Sequence, residues 1–287
     1  MDRMGVIGTG VVGSAVAILL EEKGYPVTGV YSKRGISASA LAQKLGCKSY
    51  PNPVDLLNSA EIIFLTVPDR ELNGLADLLA ESGMVRADHM FFHMSGALSA
   101  EVLLPLREKG SIICSFHPLQ SFADVEQALI NLPGSFFTIQ GDDGAINLAH
   151  KIIRDLKGEA FTIQSKDKPL YHMGAVIASN YLVSLIHSAL SIYGSIGIQE
   201  DRALQALLPL IRGTLSNIEQ LGPEKALTGP IARGDSGTVR EHLMASAKLH
   251  HSCTELYKAL GTYTVRVASE KGSIDKGQRE RLLKILL

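Results

Sequence analysis

The sequence has no tryptophan, few aromatic residues of any kind and only three cysteines in 287 residues. Cys47, Cys114 and Cys253 are odd in number and far apart, with no C-x-x-C pair and no Cys/His ligand spacing. Neither a disulfide framework nor a structural zinc site is expected, and the three read as reduced, mostly buried thiols. Charge of one sign is lacking too. Lys and Arg number 28 against 29 Asp and Glu, a net charge of −1, which gives no field to draw the chain to nucleic acid or to an anionic membrane. His242, His250 and His251 have no orienting carboxylate at ligand spacing, so no metal is expected. No G-x-S-x-G elbow and no pair of catalytic carboxylates appears. No basic-then-apolar leader precedes the first strand, which predicts a cytoplasmic protein. The most membrane-like stretch, Met173 to Gly194, carries Asn180, His187 and several serines and reads as a buried amphipathic helix.

What is present begins at once. The apolar strand Met4-Gly5-Val6-Ile7 runs straight into Gly8-Thr9-Gly10-Val11-Val12-Gly13, and a small-residue helix follows. In a G-x-G-x-x-G turn of this kind Gly8 permits the tight turn, Gly10 lets backbone N–H groups approach a pyrophosphate, and Gly13 lets helix and strand pack closely. The positive end of the helix then faces the phosphates. The second strand, residues 26–31, ends in Ser32-Lys33-Arg34 where a site for the unphosphorylated dinucleotide places a carboxylate. A hydroxyl and two cations suit a 2′-phosphate instead, so NADP is the expected cofactor. A solvated basic turn is the plainer alternative.

Short apolar strands alternate with helical patterns up to residue 164. Further strands are read at 61–67, 89–93, 111–116, 135–139 and 160–163. This alternation predicts a Rossmann-type, doubly wound parallel sheet with helices on both faces. From residue 165 the pattern is helical only: to Ile196, from Glu200 to Leu221 with Pro209 expected to kink or split it, over 236–271, and over 275–287. Asp201, Asp235 and Asp275 are expected to cap helices. Two domains follow from this reading, 1–164 for the cofactor and 165–287 for substrate and dimerisation. An apolar-faced helical domain of this size is expected to pair with a second copy of itself.

Ligands of open parallel sheets bind beyond the carboxyl ends of the strands, and the residues there are polar or turn-forming. They are Val67-Pro68-Asp69-Arg70 along the cofactor, His93-Met94-Ser95-Gly96, and His117-Pro118-Leu119-Gln120-Ser121-Phe122. His117 ends an apolar strand where nicotinamide chemistry would occur, and imidazole moves protons near neutral pH. Its alternative is to tie down the loop. Ser95 and Gln120 could orient a carbonyl or amide, and each is also a common turn residue. Lys168, His172, Ala175 and Ser179 share an arc of about 60° on the first helix of the second domain, with Asn180 on its shoulder. Arg233, in Gly229-Pro230-Ile231-Ala232-Arg233-Gly234-Asp235, could clamp a carboxylate or phosphate.

Together these segments resemble a family that joins a Rossmann-like NADP-binding domain to a helical domain of unknown function, number 2520. The His-Pro-Leu-Gln-Ser-Phe loop and the Gly-Pro-x-x-Arg-Gly-Asp segment carry most of the resemblance. More distantly the layout is similar to pyrroline-5-carboxylate reductases and β-hydroxyacid dehydrogenases, with a second domain like the C-terminal one of 6-phosphogluconate dehydrogenase. The resemblance implies hydride transfer from NADPH in a cleft between the domains and dimers built through the helical domain. A small polar C=O, C=N or C–OH substrate is expected, with His117, His172, Ser95 and Asn180 as catalytic candidates and Gln120 and Arg233 on the substrate. Two signatures are missing. Val176 stands where β-hydroxyacid dehydrogenases carry lysine, and Tyr171-His172-Met173-Gly174 replaces the Ser-Gly-Pro helix start of the pyrroline-5-carboxylate reductases. A non-catalytic NADP-binding sensor is the alternative function.

Overall fold

The computed structural model describes residues 2–287. It divides into two compact units, Met1–Asn180 and Tyr181–Leu287, so the first long helix after the strands belongs with the sheet.

The first unit runs β1 (Met4–Ile7), α1 (Val11–Glu22), β2 (Val27–Tyr31), α2 (Ile36–Leu45), β3 (Lys48–Ser49), α3 (Pro53–Leu56), β4 (Ile62–Leu65) and α4 (Asp69–Glu81). It continues with β5 (Met90–His93), α5 (Leu104–Arg107), β6 (Ile112–Pro118), α6 (Val125–Asn131), β7 (Phe136–Gly141), α7 (Asp143–Asp155), β8 (Glu159–Thr162) and α8 (Lys168–Ala178). The eight strands form one sheet in the order β3-β2-β1-β4-β5-β6-β7-β8. The continuous apolar runs are explained by burial on both faces. Val6, Phe64, Phe92 and Cys114 point to one core, and Ile7, Leu65, Phe91 and Ile113 to the other. Across the first face Phe64, Phe92, Phe116 and Phe137 form a row on β4 to β7, with centroids 5.2, 6.1 and 4.9 Å apart.

Two strands depart from the expected all-parallel sheet: β7 runs antiparallel to β6, and β8 runs parallel to β7. After β6 the chain re-enters the sheet at the end it left, with Leu119 N donating to Phe136 O at 2.8 Å. The two-residue β3 carries too little pattern to be read from sequence.

The second unit is helical, with α9 (Asn180–Ser195), α10 (Glu200–Leu221), α11 (Pro223–Ala226), α12 (Ser236–Ser246), α13 (His251–Glu270) and α14 (Lys276–Leu286). Its buried core is small: Ile231, Val239, Val265, Ala268, Leu282 and Leu286. Asp235 caps α12 and Asp275 caps α14 with a capping box, but Gln199, not Asp201, holds the cap position of α10. Pro209 lies within a continuous α10. The expected 236–271 helix is two, because His250 starts a new one by accepting from Ser252 N.

The expectation of a buried helix over 173–194 is overturned. Helical residues 165–195 are apolar and long enough to cross a membrane by composition, yet no residue from 173 to 194 is buried within the chain. Periodicity reports that a face wants cover, not which molecule supplies it. The cysteines are free, with Cys114 buried and the other two half-buried.

Candidate functional site

The glycine turn is built as its spacing requires. Gly8 has φ +109, and a Cβ there would stand 2.7 Å from the Thr66 backbone. A Cβ on Gly13 would meet Gly8 O at 1.9 Å and Thr66 Oγ1 at 2.3 Å, whereas one on Gly10 would meet no protein atom within 4 Å. So Gly8 and Gly13 are demanded by the protein, and Gly10 leaves the wall of an open cleft bare. Helix α1 starts directly after it, with no side-chain cap and no acidic residue in its first turn. Its first N–H groups suit an anion.

The cleft has a volume of about 1150 Å³. Gly8, Thr9, Gly10, Val11 and Val12 line one wall, Ser32, Lys33 and Arg34 the rim at the end of β2, and Val67 and Pro68 the far side. Ser37, which the sequence reading passed over, joins the rim. Its Oγ lies 2.7 Å from Thr9 Oγ1 and donates to Ser32 Oγ at 3.1 Å, so Thr9 and Ser32 are linked through it. Lys33 and Arg34 are exposed. The residues fit a dinucleotide phosphorylated on the ribose next to the adenine: a bare backbone for the pyrophosphate and a hydroxyl with two cations for the 2′-phosphate.

Beyond β5 the loop is knotted on Ser95. Its hydroxyl donates to Asp69 Oδ2 at 2.7 Å and accepts from Ala97 N at 3.2 Å and Leu98 N at 3.0 Å. One donor and two lone pairs are all that a hydroxyl has. Ser95 is thus a positioning residue and not the substrate-orienting group expected. Asp69, expected on the cofactor, faces Ser95 instead. His93 packs beneath, accepting from Ser95 N at Nδ1 (3.2 Å), with Nε2 3.1 Å from Ser99 O. Burial, reinforced by the Lys168 charge, pushes its pKa down to about 3.

Helix α8 closes this edge. Pro169 sits in its first turn, and Lys168 just before it is buried, with Nζ donating to the Ser95 carbonyl at 2.9 Å. Burial lowers the Lys168 pKa to about 8. One turn on, Tyr171 Oη lies 3.0 Å from His117 Nδ1, and the His117 and His172 rings are 6.4 Å apart at 85°. Burial first, then Lys168 and His172, lower the His117 pKa to about 3. Its imidazole is neutral at physiological pH and can act there only as a neutral donor or acceptor. Burial raises the Tyr171 phenol. Lys168 was visible only as a member of a helical stripe, as a lone cation at the start of an apolar helix, and Tyr171 only within the Tyr171-His172-Met173-Gly174 segment.

The Gln120 side chain folds onto its own loop, with Nε2 3.5 Å from Asn131 O and Ser135 Oγ and Oε1 accepting from Ser121 N at 2.9 Å. Asn180 opens α9, after Ser179 breaks it from α8. Arg233 is exposed in a short turn of the second unit, Ile231–Arg233. Among the described residues no group of three or more His, Cys, Asp or Glu side chains could hold a metal ion.

Sheet order and the glycine turn define a Rossmann-like fold. Residues 2–118 match the model of a Rossmann-like domain, and 135–264 match the domain of unknown function 2520, so the chain joins these two. A protein of Thermotoga maritima is 29% identical, the match covering 94% of this chain and 99% of that one with a TM-score of 0.74. A candidate NADP oxidoreductase of Bacteroides fragilis is 22% identical, covering 92% and 98%, also at 0.74. Plasmodium falciparum pyrroline carboxylate reductase, solved with NADP bound, is 15% identical, covering 100% and 98% at 0.59. A comparison with the curated proteins finds no match.

Proposed function

We propose that the chain is an NADP-dependent oxidoreductase that moves a hydride between the nicotinamide and a small polar C=O, C=N or C–OH compound. One observation carries this reading. A glycine-built cleft with a basic rim, and a cluster of buried Lys168 with half-buried Tyr171, His117 and His172, both lie at the strand ends of one sheet. The names of the Bacteroides and Plasmodium proteins support the same class. In the cleft the cofactor would be held by residues 8–13 and 32–34 and would supply or accept the hydride. His117 and His172 would bind the reacting group and handle its proton, and Lys168 would supply fixed positive charge behind the loop.

Incubation with NADPH and a panel of keto acids, aldehydes and cyclic imines tests the reading. Consumption of NADPH with at least one class is expected. Tight NADPH binding with no consumption anywhere would make the chain a non-catalytic NADP-binding sensor. The cofactor choice has its own test. NADPH should raise the melting temperature more than an equal concentration of NADH, because stabilisation follows affinity. Lys33→Ala with Arg34→Ala should erase the difference, and equal shifts in the unmodified protein would remove the assignment.

We also propose that a second copy of the chain covers the exposed apolar helices. An 18-residue window within 165–195 has a mean hydropathy of 1.5 with none of it buried, and Val183 and Leu210 are 68% and 66% exposed. Surface of that kind marks an association site. Light scattering at micromolar concentration should give the mass of a homodimer; a monomeric mass contradicts it.

A further inference from the structure

Three observations meet beside Gly96. A Cβ placed on Gly96 would stand 2.7 Å from His117 Nε2 and 2.7 Å from His172 Nδ1. The two nitrogens therefore lie within twice that distance of each other, a span that one oxygen or nitrogen atom can bridge with two hydrogen bonds. His172 Nδ1 is buried and has no hydrogen-bond partner, a costly arrangement unless a bound molecule supplies one. On the far side of the His117 ring, Nδ1 is in hydrogen-bond contact with the Tyr171 hydroxyl. His172 shares α8 with Tyr171, so one helix presents both groups.

We propose that the reacting heteroatom of the substrate is held between His117 Nε2 and His172 Nδ1 beside Gly96. We further propose that Tyr171 feeds, through His117, the proton this atom takes up. Both statements rest on the oxidoreductase reading above. A neutral imidazole that gives away its Nε2 proton stays neutral only by receiving another at Nδ1, and Tyr171 is the group bonded there. In the reductive direction the substrate carbon gains the hydride of the reduced nicotinamide, and the C=O or C=N π pair moves to the heteroatom. The heteroatom takes the proton from Nε2, His117 takes one from Tyr171 at Nδ1, and water returns a proton to the phenolate. The Lys168 ammonium, 5.9 Å from the Tyr171 ring centroid, favours that transient negative charge. Gly96 is the specificity element: any side chain there would push both imidazoles off the shared point.

Nitrogen-15 NMR of the histidine-labelled protein without ligand tests the relay independently of turnover. His117 should be the neutral tautomer carrying its proton on Nε2, and Tyr171→Phe should leave it a mixture of tautomers. A proton fixed on Nδ1, donated to Tyr171, overturns the relay. On whichever compound the panel identifies, Tyr171→Phe should lower single-turnover reduction at least about tenfold while the NADPH melting shift is kept. The solvent-isotope dependence should fall from two protons in flight to one. Gly96→Ala should abolish reduction, again with the NADPH shift intact. Full turnover in either variant overturns the proposal and leaves the oxidoreductase reading standing. Loss of NADPH binding by the unmodified protein would defeat that reading instead, and the NMR result would still decide the tautomer.

Discussion

Gly13→Ala should unfold far more easily than the unmodified protein and give no melting shift with NADPH. The added methyl would lie 1.9 Å from the Gly8 carbonyl oxygen and 2.3 Å from Thr66 Oγ1, and the first of these is backbone. Thr66 is itself held, its hydroxyl donating to Gly8 O and its amide to Ile7 O. The strain cannot be relieved by a rotamer change, so α1 must lift from β1 and β4. Overpacking of a fixed site costs about 1–3 kcal/mol and occasionally more. A displaced α1 also turns its first N–H groups away from the pyrophosphate. Gly10→Ala is the control, since nothing in the protein opposes that methyl. It should fold normally and lose affinity only, through the ligand. Chemical denaturation and cofactor melting shifts on both variants check the pair. A Gly13→Ala protein as stable as its parent, still shifted by NADPH, would show that the turn is not the cofactor cradle.

Lys168→Met should stabilise the protein near neutral pH and slow its chemistry. Lys168 is 1% exposed, and burial holds its folded pKa at about 8 against an ordinary 10.5. At about 1.4 kcal/mol per pKa unit, the buried charge costs roughly 3 kcal/mol at any pH below the folded value. That penalty fades as pH rises from about 8 towards 10.5, because the folded protein sheds the proton above about 8 while the unfolded chain keeps it until about 10.5. Methionine fills a similar volume without the charge but leaves the Ser95 carbonyl unpartnered, a loss of ~1–2 kcal/mol. A net gain of ~1–2 kcal/mol is expected at pH 7, with urea midpoints converging or crossing by pH 10.5. Turnover should fall about tenfold or more, because fixed positive charge is lost beside the reacting groups. Stability gained where activity is lost marks a residue kept for function. A variant less stable than its parent at both pH values would contradict this account of Lys168.

The fold was legible where periodicity is strong. Strands β1, β4, β5 and β6 are four to seven residues of mostly apolar sequence between turn-formers, and the change to helix-only pattern after β8 is abrupt. Three things were not written locally. The direction of β7 and β8 depends on the end at which the chain re-enters the sheet after β6, which no strand pattern encodes. The division between compact units falls after α8 because Lys168 and Tyr171 are anchored to Ser95 and His117, contacts spanning 73 and 54 residues of sequence. The partner of an apolar face cannot be read from its pattern, so α8 and α9 looked like core. In the site, the glycine turn and the basic rim follow from spacing. The acid–base roles did not: His117 looked like a neutral-pH proton carrier until its burial and the nearby Lys168 charge were seen. Ser95 looked available until each of its lone pairs had a donor.

The knot on Ser95 also sets how much variation the loop can accept. Alanine at this position would take the acceptor from the half-buried N–H groups of Ala97 and Leu98, at about 1–3 kcal/mol for each orphaned group, and would release the exposed Asp69 carboxylate to water. Cysteine offers a weak donor and a weak acceptor, and asparagine or aspartate would have to fit into a position only 5% exposed. The three partners belong to two separate stretches of chain, α4 and the turn after β5, so no single neighbouring change can compensate for the loss. A saturation library at position 95 would therefore be expected to return almost nothing but serine, while the exposed Arg70, one residue from Asp69, would admit many substitutes. Tolerance in this protein thus changes from broad at Arg70 to narrow at Ser95, across the single hydrogen bond that ties Ser95 to the neighbouring Asp69.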